Sequence, residues 1–531
     1  MEKHVPCQRK KQCCCLRLKF SLCQSIFGII LVILGVVLRP VIDQVFRDKI
    51  DENLVLKPGS PTYKPWVKST VPIYAKYYFF HIVNPDEVKK GAKPVLEERG
   101  PYTCIVHTQK FNITWQHSNA TVSYDERTWY ISDSASSCGE SCDPFNDEIT
   151  TINIPLMTVA AILKNYPDFL HWKRLVSGIL NNFNEQLFIT RKVHDLLWGY
   201  KDPLLAEMSK LREEIPGLKN FIPPLSSTVF LQPNNTLQGR TVVHTGAKDI
   251  QNLEQWKSWK DKDHVGLWLT KYANMLNGTD GRQFAPRVKK SDKIYIFVIQ
   301  LCRSLYITYD RELKDQDIDV YLFAIPQELF LNGSVNPDNA AFYPNGFLPT
   351  GILDPRKCQG GGVLSPVFIS APHFYLGDPS LVDGVVGVKP NKEKHQFSFD
   401  VEPNMGVITS NDIRLQVNVL IESVKDITET ASVRKVYVPV MWFQESATLD
   451  SDTTALFRND IIIPMEIFHD VEIALICLGA LLVLIAMIIF CRTINSKTRR
   501  PAICCCNNEE RLPLINAEKL NDNDVMEVKK N

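Results

Sequence analysis

The chain lacks the short motifs that mark the common classes of enzyme. It has no Gly-x-Ser-x-Gly, no Walker phosphate loop, no His-Glu-x-x-His and no Gly-x-Gly-x-x-Gly after a strand-like run. Its eleven histidines are scattered, without the i, i+4 spacing that builds a metal site on a helix. We therefore expect no catalytic residue, no metal site and no cofactor, and predict that the protein is not an enzyme.

Positive and negative charges are nearly balanced, since the formal net charge is +1 over 531 residues. This balance gives no electrostatic basis for binding nucleic acid or another polyanion. Internal repeats, low-complexity segments and Pro/Gly/Ser-rich linkers are absent too. The long central part of the chain is therefore expected to bury either one large core or two smaller ones.

Two uncharged apolar runs are present, at residues 20–38 and 473–491. Each is 19 residues long, which is enough for a helix to cross the hydrocarbon core of a bilayer. The alternatives are a signal peptide and a buried helix, but the first run is too long for a signal and no small-residue cleavage site follows it. We predict two transmembrane helices, cytosolic tails at residues 1–19 and 492–531, and one large loop at residues 39–472.

The orientation of the loop follows from the basic residues of the tails. Lysine and arginine outnumber acids on the tail side of both runs, and such residues stay on the cytoplasmic side of a membrane. The loop is therefore predicted to be lumenal or extracellular. All five Asn-x-Ser/Thr sequons lie in it, which agrees with glycosylation there. Their acceptors are Asn112, Asn119, Asn234, Asn277 and Asn332.

Cysteine use differs between the tails and the loop. Each tail has three consecutive cysteines, Cys13, Cys14 and Cys15 in one and Cys504, Cys505 and Cys506 in the other. We interpret them as juxtamembrane palmitoylation sites, with unmodified thiols as the alternative, because the reducing cytosol disfavours disulfides. The loop contains an odd number of cysteines, so at least one is free or paired between chains. They are Cys104, Cys138, Cys142, Cys302 and Cys358.

The pattern of the loop predicts a β-rich α+β body. Runs rich in Val, Ile, Tyr and Phe, many alternating apolar with polar residues, indicate half-buried antiparallel strands. These runs are residues 101–106, 121–131, 293–300, 304–309, 320–325, 363–370, 395–401, 414–421 and 434–442. Apolar residues at three- and four-residue steps predict helices within residues 155–208, and Asp202 is expected to cap a helix that begins at Pro203.

Six blocks of the loop resemble the class B scavenger receptor family, as does the hairpin topology. The blocks are Glu98-Arg-Gly-Pro-Tyr102, Leu196-Leu-Trp-Gly-Tyr-Lys-Asp-Pro203, Asn274-Met-Leu-Asn-Gly-Thr-Asp-Gly281, Cys302-Arg-Ser-Leu-Tyr306, Ser370-Ala-Pro-His-Phe374 and Asp400-Val-Glu-Pro403. The resemblance implies a lumenal antiparallel β-barrel with an apolar tunnel, capped by a helical bundle at residues 155–215. It also implies a protein that binds a sterol or another acyl lipid and conducts it to the membrane; a homo-oligomer is left open.

Within this family the carboxyl tail resembles that of the lysosomal integral membrane protein branch. Glu510 lies four residues before Leu514 and Ile515, which is the pattern of acidic dileucine signals that clathrin adaptor complexes bind. The resemblance implies a protein of the lysosomal membrane that supports lysosome function and can carry a lysosomal enzyme, such as a glucosylceramidase, as a passenger. The alternative is a cell-surface class B scavenger or phagocytic receptor for lipids, lipoproteins or apoptotic cells.

The resemblance also implies roles for particular residues. Cys302 and Cys358 are expected to form a disulfide by their position in the family motif, although no cysteine lies between them for the family's usual second bridge. The lysosomal branch uses a histidine in its helical region for pH-dependent release of the passenger, and His171 beside Trp172 is the candidate here. Surface lipid-scavenging members have a lysine cluster where this chain has Asn182-Phe-Asn184, which argues against capture of fatty acids or oxidised lipoproteins.

Overall fold

The structure is a computed structural model that describes residues 6–139, 142–165, 178–220, 222, 224–343, 346–358, 365–424 and 427–498. The chain forms two compact units, one of Met1–Gln44 with Pro464–Asn531 and one of Val45–Ile463. The helices are α1 (Pro6–Leu54), α2 (Tyr63–Val67), α3 (Pro85–Lys89), α4 (Ile154–Asn165), α5 (Val193–Trp198), α6 (Pro203–Glu214), α7 (Pro337–Ala340), α8 (Pro379–Asp383), α9 (Lys392–His395), α10 (Ser451–Phe457) and α11 (Ile463–Thr498).

The first unit contains the two long apolar helices. Helix α1 has 49 residues and α11 has 36, and each includes one of the predicted spans. Both are long and apolar enough to cross a membrane by length and composition. Each helix extends beyond the apolar run that predicted it, because the run ends where charged residues begin, whereas helical hydrogen bonding continues past them.

Small residues let α1 and α11 approach each other closely in antiparallel orientation. A Cβ atom on Gly28 would lie 2.7 Å from the Gly479 carbonyl oxygen. Near one end of the contact the Ser21 hydroxyl donates to the Ala486 carbonyl oxygen at 2.7 Å. In lipid, helices associate through such close packing and hydrogen bonding, since burial of apolar surface gives no drive there.

The second unit is dominated by antiparallel strands. They are β1 (Ile73–Ile82), β2 (Leu96–Gln116), β3 (Thr121–Ser132), β4 (Glu148–Ile152), β5 (Phe188–Lys192), β6 (Tyr200–Lys201), β7 (Thr228–Val229), β8 (Thr236–Leu237), β9 (Thr241–His244), β10 (Trp256–Trp259), β11 (Ile294–Val298), β12 (Arg303–Asp315), β13 (Ile318–Ala324), β14 (Val367–Ser370), β15 (Ser398–Val401), β16 (Ile408–Ile421) and β17 (Val436–Thr448). All nine predicted strands are confirmed, with ends that differ from the predicted ends by zero to ten residues.

Thirteen strands form one sheet in the order β10-β9-β3-β2-β1-β17-β16-β15-β13-β12-β11, with β14 paired to β16 and β8 paired to β3. One of its central strands is β1, which the sequence analysis missed. β1 pairs with β2 on one side and β17 on the other, and Tyr77, Phe79 and Phe80 are fully buried. The predicted antiparallel β-rich α+β body is therefore confirmed.

In its described residues, the stretch predicted to be helical contains helices α4, α5 and α6, a helical segment at residues 178–182, and strands β5 and β6. Helices α4, α5 and α6 pack into the same apolar core as the central strands. The Asp202 side chain accepts a hydrogen bond from the Leu205 amide, so the predicted cap of α6 is confirmed. Strands β5 and β6 interrupt the helices, each by pairing with a segment distant in sequence, β4 and β7 respectively. Periodicity within one segment could not predict these pairings.

A second apolar core is rich in tryptophan. It joins the last turns of α1 to α2 and to strands β3, β9, β10 and β11. Trp256 and Trp259 of β10 both contact Phe297 of β11, with ring centroids 4.9 and 5.4 Å apart. Rings of this size bury large apolar areas, and each buried large side chain contributes about 2 kcal/mol. The core therefore holds the two edge strands of the large sheet near each other.

Candidate functional site

The two edges of the large sheet are joined by a short segment between them, Gly278 and Thr279. On the β10 side, the Trp256 amide donates to the Gly278 carbonyl oxygen at 2.9 Å. On the β11 side, the Thr279 amide donates to Tyr295 at 3.3 Å and the Phe297 amide donates to Thr279 at 2.9 Å. The segment therefore acts as a seam that closes the sheet into a barrel, and edge amides that would otherwise face water are paired.

Only glycine fits at the first position of the seam. Gly278 has φ +93°, a left-handed conformation that side chains disfavour. A Cβ atom there would overlap the Tyr295 carbonyl group and lie 2.6 Å from the Ile296 nitrogen. The preceding residue is fixed as well, because the Asn277 amide donates to the Ser304 hydroxyl at 2.9 Å and that hydroxyl donates back to Asn277 at 3.0 Å.

The residues that follow the seam bring charges to a network on the inner face of the barrel. The Arg282 guanidinium donates to both oxygens of Glu126, at 2.9 and 2.8 Å. Lys110 lies 3.0 Å from Glu126 and 3.9 Å from Asp280, and its side chain is 1% exposed. Strands β2 and β3 supply Lys110 and Glu126, so the network connects the seam to the middle of the sheet.

Aromatic rings and further acids surround this network. The Lys110 ammonium lies 5.1 Å from the ring centroids of Trp66 and of Tyr124, a cation–π arrangement. Burial opposes ionisation of Glu126, but the neighbouring Arg282 and Lys110 outweigh it and lower the pKa of its carboxyl to about 2. Burial, reinforced by the charge of Asp280, raises the pKa of Glu254. The site therefore holds one strongly acidic and one weakly acidic carboxyl close together.

A cavity of about 360 Å³ lies beside the seam. Its volume falls within the range of small-molecule binding sites. Apolar and polar side chains contribute to a mixed lining, in which Gln251 donates to the Pro286 carbonyl oxygen at 3.1 Å and Arg287 pairs with Asp51 of α1 at 2.7 Å. The lining residues are Gln251, Gln255, Thr279, Phe284, Ala285, Pro286, Arg287, Val288, Ser291, Asp292, Lys293, Ile294 and Tyr295.

The outer face of the barrel carries a second polar cluster, centred on two stacked histidines. The rings of His373 and His395 are parallel within 6° and their centroids are 4.3 Å apart. His373 Nδ1 accepts from the Lys389 amide at 3.0 Å, so Nε2 carries the proton and donates to Glu98 at 2.6 Å. Trp442 also donates to Glu98, at 2.9 Å.

Burial and close charges shape the acidity of this histidine cluster. Burial, together with the neighbouring His373, lowers the pKa of His395 to about 4. Burial would raise the pKa of Glu98, but hydrogen bonds from His373 and Trp442 lower it below its usual value. Arg414 and Lys394 are the other charged groups that face His395, and both disfavour its protonation. The cluster is therefore built to hold His395 neutral.

The loop cysteines form two bridges in the described part of the chain. Cys302 and Cys358 are joined, with Cα atoms 5.4 Å apart, and Cys138 is joined to Cys142, also with Cα atoms 5.4 Å apart. Cys104 is free and buried on the inner face of β2. The pairing that the sequence analysis left open is therefore Cys138–Cys142, with Cys104 as the odd residue.

The five sequon asparagines differ in accessibility. Asn112, Asn119 and Asn234 are exposed, whereas Asn277 and Asn332 are half-buried. The three exposed side chains suit a bulky glycan best. Glycosylation itself remains a prediction for all five.

Several predicted sites lie outside the described residues. These are His171 and Trp172, the sorting residues Glu510, Leu514 and Ile515, and the palmitoylation candidates Cys504, Cys505 and Cys506. Cys13, Cys14 and Cys15 lie within α1, but their side chains are not described. In the described ranges no group of three or more His, Cys, Asp or Glu side chains is arranged to hold a metal ion.

Sequence reasoning missed the partners in both polar clusters. Asp280 and His373 belong to blocks that the family resemblance singled out, so those blocks carried part of the signal. Lys110, Glu126 and His395 lie in no such block. These residues are unusual only because a charged or titratable side chain lies at a buried position. Which positions are buried becomes clear only when the register of the strands is known.

Comparison with known proteins agrees with this architecture. The CD36 family profile matches residues 26–490. Lysosome membrane protein 2 of Rattus norvegicus is 33% identical over 468 residues, which is 88% of this chain and 92% of that protein. Lysosome membrane protein 2 of Homo sapiens is 31% identical over 478 residues, 89% and 94% of the two chains. Scavenger receptor class B member 1 of Rattus norvegicus is 31% identical over 465 residues, 87% and 88% of the two chains.

The seam predicts a large penalty for Gly278→Ala. The added Cβ would overlap the Tyr295 carbonyl group, and we expect the free energy of unfolding to fall by at least about 3 kcal/mol. Gly59→Ala is the matched control, because Gly59 has a similar φ of +87° with no atom within 4 Å of the added group. It should lose only about 1 kcal/mol. Thermal unfolding of the full-length protein in nanodiscs measures both, and equal losses would contradict the seam.

The histidine cluster predicts a loss of stability in acid. His395 titrates near 6.5 when unfolded and at about 4 when folded, so the unfolded state binds more protons between these values. Stability is fully present above pH 6.5 and decreases as the pH falls towards 4. From pH 7 to pH 5 we expect the free energy of unfolding to fall by about 2 kcal/mol, because His395 is buried and takes up its proton only in the unfolded state over most of this interval. His395→Gln should flatten the unfolding profile over this interval, whereas His264→Gln, at an exposed site, should not. An unchanged profile in His395→Gln would show that the stack does not sense acid.

Proposed function

Because the chain belongs to the CD36 family, we propose that it is a lysosomal membrane protein that binds a sterol or another acyl lipid and conducts it through its ectodomain to the bilayer. The chain is a scavenger-receptor-type membrane protein, and its relatives are non-enzymatic receptors or transporters. The proposed lipid conduction rests on the cavity of about 360 Å³ beside the seam.

Such a cavity could shield a lipid from water during its transfer. Each CH₂ group of a lipid exposed to water costs about 0.8 kcal/mol, so free passage across an aqueous gap is slow. A partly apolar passage in a protein anchored by two spans lowers that barrier without fuel or chemistry. Inward side chains near the charged network support a space inside the barrel. Arg282, Phe443 and Glu445 point inward, yet part of the surface of each is accessible to solvent. We infer that this accessible interior and the cavity belong to one lipid path.

The lysosomal location rests on two kinds of support. Relatives named Lysosome membrane protein 2 match nearly the whole chain. The tail carries the acidic dileucine pattern of Glu510, Leu514 and Ile515, which suits clathrin adaptors. The alternative is a cell-surface scavenger or phagocytic receptor, which the similar match to Scavenger receptor class B member 1 favours.

A passenger enzyme is a second proposed function. A lysosomal enzyme such as a glucosylceramidase would bind the helical region around His171 and Trp172 and leave on acidification. This proposal rests on the resemblance to the lysosomal branch. It is independent of lipid conduction, because one surface can hold a protein while the interior holds a lipid.

Blocking the cavity should slow lipid transfer. We expect Ser291→Trp, which places a large ring in the cavity lining, to reduce transfer of a fluorescent sterol or acyl lipid at least fivefold. The assay follows transfer from donor vesicles to liposomes that contain the full-length protein. Ser134→Trp, at an exposed position away from the lining, is the matched control and should transfer at the wild-type rate. Equal rates in both variants would reject a path through this cavity.

The tail predicts a sorting defect. Leu514→Ala with Ile515→Ala should move the protein from lysosomes to the plasma membrane, because both apolar anchors of the adaptor signal are lost. Surface biotinylation and lysosomal co-staining measure the change. Leu512→Ala, at a spacer position of the pattern whose side chain the signal does not specify, should leave the distribution unchanged. Unchanged lysosomal staining of the double variant would reject dileucine sorting and favour another signal.

A further inference from the structure

Arg303 is a buried cation without a counter-charge among the described residues. It begins β12 directly after Cys302, and it is 5% exposed. Its Nε atom has no hydrogen-bond partner, and no carboxylate of the described ranges is among the groups that shift its pKa. One face of the guanidinium stacks on Phe342, with Cζ 3.6 Å from the ring centroid. Burial lowers the pKa of Arg303 to about 10, so it remains charged at physiological pH.

The guanidinium lines a small cavity. The cavity has a volume of about 20 Å³, and most of its wall is apolar, including Leu329, Phe342 and Leu353. Asp354 is the acid in that wall, but both its oxygens accept from Arg356 at 2.8 Å. Its charge is therefore already balanced by a second arginine. The positive charge of Arg303 is therefore not compensated by a carboxylate of the cavity wall.

The cost of burying the Arg303 charge favours a bound ligand in this cavity. A buried charge is costly unless a partner or hydrogen bonds compensate it. A guanidinium has five N–H donors and no acceptor, so the matching ligand is an anion or an acceptor such as water. A volume of about 20 Å³ holds one water-sized particle. It excludes phosphate, and it excludes a lipid carboxylate with its chain.

We propose that the Arg303 cavity binds one small monovalent inorganic anion of the halide class, such as chloride. The anion balances the charge of Arg303 where β12 leaves the Cys302–Cys358 disulfide. It thereby stabilises the packing of the segment containing Phe342 and Tyr343 on the barrel. The site is separate from the cavity beside the seam, so its test does not depend on lipid conduction.

Halide dependence of stability tests the proposal. The full-length protein in nanodiscs is unfolded thermally while chloride replaces gluconate at constant ionic strength. We expect a saturable rise of the midpoint by about 2 °C with chloride, and a smaller rise with the larger bromide ion. Arg303→Gln should abolish the halide dependence. Arg127→Gln is the matched control, because Arg127 also stacks on a phenylalanine, Phe111, but is exposed, and it should keep the dependence.

A second measurement uses the unmodified protein, in case Arg303→Gln does not fold. The ³⁵Cl NMR line should broaden in the presence of the wild-type protein, and bromide but not gluconate should narrow it again. Absence of both the halide-specific stabilisation and the broadening would mean that water alone occupies the cavity, and would overturn the proposal. Halide dependence that persists in Arg303→Gln would place the anion elsewhere and would overturn it equally.

Discussion

Hydrogen bonds from both edges of a large antiparallel sheet meet at Gly278 and Thr279, and much of the ectodomain depends on that closure. An open edge would expose unpaired amides to water and to other chains. Closure also sets the position of the next residues, since Asp280 and Arg282 reach the inner network only if the seam is formed. The cavity beside the seam shares Thr279 in its lining. One backbone conformation therefore links the fold, the interior charges and the space available to a ligand.

Charges occupy both faces of the barrel, but they are stabilised differently. On the inner face Lys110, Glu126 and Arg282 compensate one another through short ion pairs. On the outer face His395 is held neutral by burial and by its stacked neighbour. An ion-pair network depends little on pH above the pKa of its acids, whereas a buried neutral histidine opposes acidification. In an acidic compartment the ion pairs of Glu126 would persist and Glu254 beside them, whose pKa is raised by burial, would be protonated. The loss of stability in acid would come from His395 on the outer face.

The sequence predicted strands where apolar and polar residues alternate, and missed β1, where they do not. β16 alternates from Ile413 to Val419 and was identified, although both of its faces are buried there, whereas β1 contains the unbroken aromatic run Tyr77 to Phe80. The Asp202 cap was predicted because capping is local. Pairs such as Lys110 with Glu126 were not, because they depend on register across a long hairpin. The family blocks marked Gly278 and His373 without indicating what either residue contacts.

Cys104 shows how an unpaired cysteine can be harmless in an oxidising compartment. Its thiol faces the barrel interior between two neighbouring strands, and burial raises its pKa to about 11. At neutral pH only about one molecule in ten thousand would carry the reactive thiolate. The folded sheet thus withholds the nucleophile that could attack the nearby Cys138–Cys142 bridge and shuffle it. Once the barrel has closed, burial of Cys104 therefore protects the Cys138–Cys142 bridge from exchange, despite the odd number of cysteines.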